Sequence, residues 1–311
     1  MSNVLYIIIP CYNEEEVLPE IVRILSTKLT SLTRMGLISQ DSKVLLVDDG
    51  SSDKTWSLIC RFHQQDSRFS GISLSRNRGQ QNALLAGLMF AMDRCDMAIS
   101  MDADLQDDVN TIDKMIARYL EGADIVYGVR SDRSKDSGLK RNTSWAFYKL
   151  MSMLGTETIY DHAEFRLMSK RALEGLSKFG EANLFLRGII PMIGYNTDTV
   201  TYQRGERLAG ESKYSFEKLL SLAVEAITSL STKPLKMIGS IGFFVFLISV
   251  LCLLTGGIHK DSIKVMTGSV WCVGGLILLG LGVVGEYIGK IYLETKARPR
   301  YLIKEIKEKK E

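Results

Sequence analysis

Met101-Asp102-Ala103-Asp104-Leu105-Gln106 sets two carboxylates one residue apart at the end of the apolar run Met97 to Ser100. The run reads as a short buried strand, so both acids stand where it stops and the chain meets solvent. Residues i and i+2 of an extended chain share one side. Two oxygen ligands on one side suit Mg²⁺ or Mn²⁺ on a diphosphate, with water and phosphate filling the other positions. An isolated Asp-x-Asp is more often an ordinary acidic turn. This one has company, because Asn13–Glu14, Asp48–Asp49 and Asn77–Arg78 each follow an apolar run of their own.

The elements that must position these groups alternate. Val4 to Pro10, Lys43 to Val47, Gly71 to Ser75, Met97 to Ser100 and Asp124 to Gly128 read as strands. Helical patterns fall between them: one reaching about Met35, one capped by Asp53 with Trp56, Ile59 and Cys60 in phase, then Ala83 to Met92 and Thr111 to Leu120. Glu164 to Ser169 reads as a further short strand entering a helix. Alternation at this spacing predicts a mostly parallel sheet covered by helices. Ligands of such sheets bind beyond the carboxyl ends of the strands, where all four polar clusters fall. A nucleotide-type site follows.

The glycine signals refine that reading. Gly280, Gly282 and Gly285 match Gly-x-Gly-x-x-Gly but lie inside an apolar stretch with no strand before them, so helix packing accounts for them. No phosphate loop of the Gly-x-x-x-x-Gly-Lys type occurs. A nucleotide is therefore expected to be held by carboxylates and a metal rather than by a glycine cradle.

Composition bounds the rest. A net charge of +3 over 311 residues gives no case for nucleic-acid binding. Five scattered cysteines predict a reducing compartment without disulfides, and three scattered histidines argue against zinc. No secretory leader is expected at the N-terminus. Leu235 to Gly257 and Val265 to Gly285 are each about long enough to cross a ~30 Å hydrocarbon core. The short loop Ile258 to Lys264 makes them a hairpin. Lys233, Lys236 and a C-terminal stretch with eight basic residues from Lys290 onward put both termini in the cytoplasm by the positive-inside rule. The basic groups Arg130, Arg133, Lys140 and Arg141, and then Arg204, Arg207 and Lys213, suit an anionic headgroup. Ser215 to Leu230 keeps helical spacing and suits the membrane interface.

With these residues in place, the chain resembles the polyprenyl-phosphate glycosyltransferases of glycosyltransferase family 2, which include bactoprenol glucosyltransferases and dolichol-phosphate mannose synthases. Pro10-Cys11-Tyr12-Asn13-Glu14, Val47-Asp48-Asp49-Gly50-Ser51, Arg76-Asn77-Arg78-Gly79, Asp102-Ala103-Asp104-Leu105-Gln106, Phe165-Arg166-Leu167-Met168-Ser169 and Gly285-Glu286-Tyr287-Ile288-Gly289 stand in family order. So does Tyr292 to Pro299 after the last apolar stretch. Two features depart from the pattern. Asp107-Asp108 stand where members often have Pro after Gln-Asp, and Glu164 where they often have Asp.

The resemblance implies a GT-A fold, Rossmann-like, over 1–214. After it would come a juxtamembrane helix over 215–232, transmembrane helices over 233–257 and 265–289, and a basic tail over 290–311. It implies inverting transfer of a hexose from a nucleotide sugar to a polyprenyl phosphate. Pro10, Tyr12, Glu14 and Asp49 would bind nucleobase and ribose, with Arg78 and Asp102 completing the donor set. Asp102, Asp104 and Gln106 would hold Mg²⁺ or Mn²⁺. Arg130, with Lys140 or Arg141, would take the acceptor phosphate. Asp104, Arg130 and Glu164 make up the implied catalytic set, Glu164 as a modulator rather than a base.

UDP-glucose is the expected donor, with UDP-GlcNAc, UDP-galactose and GDP-mannose as alternatives, at a bacterial inner membrane. The glycine-bearing spans suit self-association. A processive synthase is disfavoured because Gln-x-x-Arg-Trp is absent from the sequence. A non-catalytic scaffold is disfavoured because both aspartates are present. A flippase is disfavoured because the spans lack buried charge.

Overall fold

A computed structural model describes residues 3–130, 162–181, 185–203, 205, scattered positions from 235 to 245, and 262–308. The chain forms two compact units, one holding Met1–Ala146, Thr158–Lys213 and Pro299–Glu311, the other Phe147–Glu157 and Tyr214–Arg298. Lys140, Arg141, the expected helix over 215–232 and most of the expected span over 233–257 lie outside the described residues.

In the first unit, β1 (Leu5–Cys11), β2 (Lys43–Asp48), β3 (Phe69–Leu74), β4 (Met97–Ser100), β5 (Ile125–Arg130), β6 (His162–Ser169), β7 (Thr197–Tyr202) and β8 (Ile303–Lys307) form one sheet. Its order is β7-β5-β6-β4-β1-β2-β3-β8, with β6 and β8 antiparallel to their neighbours and the rest parallel. The helices are α1 (Leu18–Arg34), α2 (Thr55–Gln65), α3 (Gln80–Ala91), α4 (Thr111–Leu120), α5 (Lys170–Ser177) and α6 (Leu186–Met192).

Both faces of the sheet are covered, which is why β1 and β2 read as continuous apolar runs. Leu5, Ile7 and Ile9 pack toward α1, α2 and α4, whereas Tyr6 and Ile8 pack toward α3, α5 and α6. The mostly parallel α/β sheet expected from the alternation is present.

Three elements differ from their sequence-based bounds. Helix α3 starts at Gln80 rather than Ala83, because Gly79 turns the chain at φ +86° and presents its N–H to Asp49. Strand β7 was not foreseen. Its threonines point outward and only Val200 and Tyr202 are buried, as suits an edge strand. The stretch expected as a basic tail contains β8, which pairs with β3 from Gly71↔Lys307 to Leu74↔Ile303. Acidic side chains fasten it. Trp56 Nε1 donates to Glu305 at 3.1 Å, and Lys43 and Arg94 pair with Glu308 at 3.5 and 3.4 Å.

In the second unit, α7 (Ser262–Thr295) is a 34-residue helix, about 51 Å long at 1.5 Å per residue. Its segment Val273–Thr295 is long and apolar enough to cross a membrane, with a mean hydropathy of 1.6. Val270, Ile277, Leu278, Leu281 and Ile288 are all exposed in the isolated chain. The three glycines that mimic a dinucleotide fingerprint lie within this helix. An added Cβ at Gly280 would stand 3.3 Å from Ile238 Cγ2 of a second helical stretch, so helix packing accounts for at least that glycine.

Candidate functional site

The carboxyl edge gathers the ends of β1 to β5 and β7 and the beginning of antiparallel β6. Strand β4 is central, with β1, β2 and β3 on one side and β6, β5 and β7 on the other. The sequence clusters divide accordingly.

On the first side, the loops after β1 and β2 are stitched together. Asn13 holds φ +54°, its N–H donates to Ser51 Oγ at 3.0 Å, and its Oδ1 accepts from Ser52 N at 2.9 Å. A non-glycine residue held in the left-handed region signals a loop fixed by its surroundings. Glu14 N–H donates to Thr55 Oγ1 at 2.9 Å, and Tyr12 beside it is exposed.

Asp48 turns back into the fold, accepting from Ser51 N at 3.0 Å and Ser73 Oγ at 2.8 Å. Asp49 is buried and takes the N–H groups of Arg78 and Gly79, each at 2.8 Å. Burial raises its carboxyl above the usual range, against the pull of those donors. Asp49 thus organises the loop that carries Arg78, a role the sequence did not disclose.

At the centre, Asp102 Oδ1 accepts from Gln80 Nε2 at 2.6 Å. Desolvation, reinforced by Glu164, Asp107 and Asp104, pushes its carboxyl up to about 7, with Arg187 pulling it down. The chain turns sharply after Asp104. Leu105 adopts φ +53°, and Gln106 N–H donates to Asp104 Oδ1 at 3.2 Å. Gly205 N–H donates to Gln106 O at 2.8 Å and secures the turn from outside. Asp102, Asp104 and Gln106 thus lie on one turn beyond the end of β4, not on a strand, and Asp104 is among the charges that raise Asp102. Hard oxygen donors amid surplus negative charge suit a divalent cation. Among the described residues, no three His, Cys, Asp or Glu form a closed metal cage.

On the other side lie the basic groups. Arg130 ends β5 opposite Tyr202 of β7 and hydrogen-bonds to it. Tyr202 Oη also donates to Asp107 Oδ1 at 2.5 Å, and burial with that carboxylate raises the phenol. Glu164 is buried at the start of β6. Its Oε1 accepts from Arg187 Nε at 2.7 Å and its Oε2 from Arg166 Nη2 at 2.5 Å.

Arg166 is fully buried, and its Nε and Nη1 have no hydrogen-bond partner among the described residues. Desolvation lowers its pKa, opposed by Glu164. Gln80, Arg187 and Tyr202 escaped the sequence reading. Gln80 lay one residue past a motif, whereas neither Arg187 nor Tyr202 carried any local signal. A separate open depression of about 430 Å³, lined by Asp96, Tyr119, Asp124 and Lys170, lies at the opposite edge of the sheet, remote from these groups.

Comparison with known proteins fits this arrangement. Residues 6–177 match the model of Glycosyl transferase family 2. The chain is 47% identical over 306 residues to the uncharacterized glycosyltransferase YkoT of Bacillus subtilis, covering 96% of this chain and 91% of that one. It is 40% identical to the bactoprenol glucosyl transferase of Shigella phage SfX, covering 96% and 98% of the two chains. Among solved structures, a mannosyltransferase from Pyrobaculum calidifontis in complex with GDP-Man and Mn²⁺ aligns at a TM-score of 0.45 and 15% identity, over 94% and 85% of the chains. The family model covers just over half of the chain, and the relatives cover nearly all of it. The chain belongs to glycosyltransferase family 2 and is a glycosyltransferase.

Proposed function

We propose that this enzyme transfers glucose from UDP-glucose to a polyprenyl phosphate such as undecaprenyl phosphate, with inversion, at the cytoplasmic face of a bacterial plasma membrane. One observation carries the reading. The carboxyl edge is divided at β4, with the Asp102–Asp104 turn central, the loops of Tyr12, Glu14, Asp49 and Arg78 on one side and Arg130 on the other. A nucleotide sugar suits the first side and a phosphate monoester the second. The relatives named bactoprenol glucosyl transferase support the choice of sugar and lipid.

The crowded carboxylates fit Mg²⁺ or Mn²⁺, which Asp102, Asp104 and Gln106 would hold. When bound, such an ion neutralises charge developing on a departing diphosphate. The remaining work falls to the chain. A phosphate monoester has a second pKa of about 6, so the acceptor oxygen is already anionic at neutral pH. It needs aim more than deprotonation. A guanidinium such as that of Arg130 supplies aim through paired donors. The acceptor oxygen then forms a bond to the anomeric carbon from the face opposite the leaving group, and UDP departs with the electron pair of the broken C–O bond. Glu164, engaged on both oxygens by arginines, serves to position rather than to take a proton.

Sheet closure supports the membrane reading. Strands β1 to β7 precede α7, and β8 follows it into the same sheet. A chain that leaves a sheet and rejoins it makes an even number of membrane crossings. If α7 crosses, a second crossing lies between 203 and 261, where the apolar stretch Leu235 to Gly257 stands.

The test uses purified protein, Mg²⁺ and radiolabelled UDP-glucose, with and without undecaprenyl phosphate, reading label extracted into organic solvent. Lipid-dependent label that Asp104→Ala removes is the expected result. Label only with UDP-GlcNAc, UDP-galactose or GDP-mannose would replace the donor. No label with any donor would overturn the reading.

A further inference from the structure

We infer that Tyr202 and Asp107 are positioning residues for Arg130, the phenol tying its guanidinium to a buried carboxylate next to the Asp104–Gln106 turn. The inference rests on the proposed function in one respect, that Arg130 takes the acceptor phosphate.

The geometry begins with register. Arg130 and Tyr202 are the last residues of β5 and β7, and they stand opposite each other in a parallel pair. Their side chains hydrogen-bond. Tyr202 Oη donates in turn to Asp107 Oδ1 at 2.5 Å. A guanidinium can only donate, whereas a phenol donates and accepts, so the direction is fixed. Arg130 donates to Tyr202, and Tyr202 donates to Asp107.

The far end of this chain of bonds is anchored. Asp107 is buried and follows Gln106 directly. Gly205, three residues beyond Tyr202, gives its N–H to Gln106 O at 2.8 Å. The end of β7 is thus tied twice to the segment that carries Asp104 and Gln106. The Tyr202 ring also meets Phe165 of β6 edge to face, with centroids 5.5 Å and planes 85° apart. That contact limits where the hydroxyl can stand.

Stability alone does not call for the pair. A phenylalanine would fill the same place against Phe165, and an apolar residue at 107 would leave no buried carboxylate to satisfy. Replacing both partners of a buried polar pair by apolar groups is often neutral or stabilising. What Tyr202 and Asp107 supply is a fixed point for a long side chain that otherwise samples many rotamers. An arginine held in advance has less freedom to lose when an anion binds. The pair therefore serves aim, which is what an already anionic acceptor requires.

The test is equilibrium binding of farnesyl phosphate to the full chain in detergent, with UDP and Mn²⁺ as the control. Arg130→Ala should weaken farnesyl phosphate by about 10- to 100-fold and Tyr202→Phe by about 3- to 10-fold, with UDP affinity unchanged in both. Tyr202→Phe keeps the ring against Phe165 and should raise the acceptor KM more than it lowers kcat. The two substitutions should not add: on an Arg130→Ala background, Tyr202→Phe should weaken farnesyl phosphate no further. Asp107→Asn keeps an oxygen that can accept from Tyr202, so its loss should be smaller, about 2- to 5-fold, and should likewise vanish on that background. This second cycle decides the matter if Tyr202→Phe does not fold. Unchanged farnesyl phosphate affinity in Tyr202→Phe, a full further loss on the Arg130→Ala background, or an equal loss of UDP would overturn the inference. If Arg130→Ala alone weakens farnesyl phosphate, only the inference falls. If the wild type transfers no sugar yet the residues act together on farnesyl phosphate, only the functional reading falls.

Discussion

Gln80 and Asp102, 22 residues apart, meet through a 2.6 Å hydrogen bond from the glutamine amide to the carboxylate Oδ1. The donor favours the ionised form of an acid whose surroundings oppose ionisation. Gln80→Ala should therefore reduce Mn²⁺ affinity by about 10-fold, as for other residues that orient a metal ligand. Calorimetric titration of the purified protein with Mn²⁺ checks it, and unchanged affinity would exclude Gln80 from that role.

The Asp102 carboxyl, pushed up to about 7 from an ordinary 3.8, makes a prediction about pH. A group whose pKa is raised on folding favours the fold below its unfolded value and loses that benefit as pH climbs through the folded value. The metal-free protein should lose thermal stability between about pH 4 and pH 7 from this group. Mn²⁺ binding must displace the proton, so affinity should rise about 10-fold per pH unit up to about 7 and then level off. Titrations at pH 5.5, 6.5 and 8 test the slope, and Asp102→Asn should flatten it.

Two glycines of the loops after β2 and β3 make a paired test. Gly50 sits at φ +67°, and an added Cβ would fall 2.6 Å from the Arg76 carbonyl carbon and 2.7 Å from Asn77 N. Gly79 sits at φ +86° with nothing within 4 Å. Gly79→Ala should cost only conformational strain, roughly 1–3 kcal/mol, because its φ +86°, ψ 151° lies in a region almost reserved for glycine. Gly50→Ala should cost roughly 2–5 kcal/mol, because backbone cannot step aside as a side chain can. Thermal unfolding of both variants decides it; equal losses would mean the loops after β2 and β3 are less closely fitted than described.

Strand β8 predicts an effect of truncation. Ending the chain after Arg300 removes the pairing with β3 and the partners of Trp56, Lys43 and Arg94. The melting temperature should fall, by about 2–4 °C for each kcal/mol lost in a domain of this size. The freed edge of β3 should promote aggregation. A truncated protein that melts with the full chain would show β8 to be dispensable.

The sequence displayed the β1 to β5 alternation because buried parallel strands are apolar throughout and end in polar clusters. Asp102 and Asp104 were legible for the same reason. Strand β7 was hidden because an edge strand of threonines has one buried face and a weak pattern. Strand β8 was masked by its lysines, which signalled a solvated tail although Glu305 and Glu308 make the side-chain ties. Arg166 left a trace, a charge inside a strand otherwise apolar from Phe165 to Met168. Arg187 left none, since its meeting with Glu164 depends on how α6 is seated by Gln81, and no local spacing encodes that.

The late return of β8 also fixes an order of assembly. Gly71 waits for Lys307, a partner 236 residues downstream. Until residues 303–307 have been made, β3 remains an open edge. The nascent enzyme is thus a seven-stranded intermediate vulnerable to pairing with other chains. Completion of the sheet can only follow synthesis of Lys307, and it reports that everything between the two strands has been made.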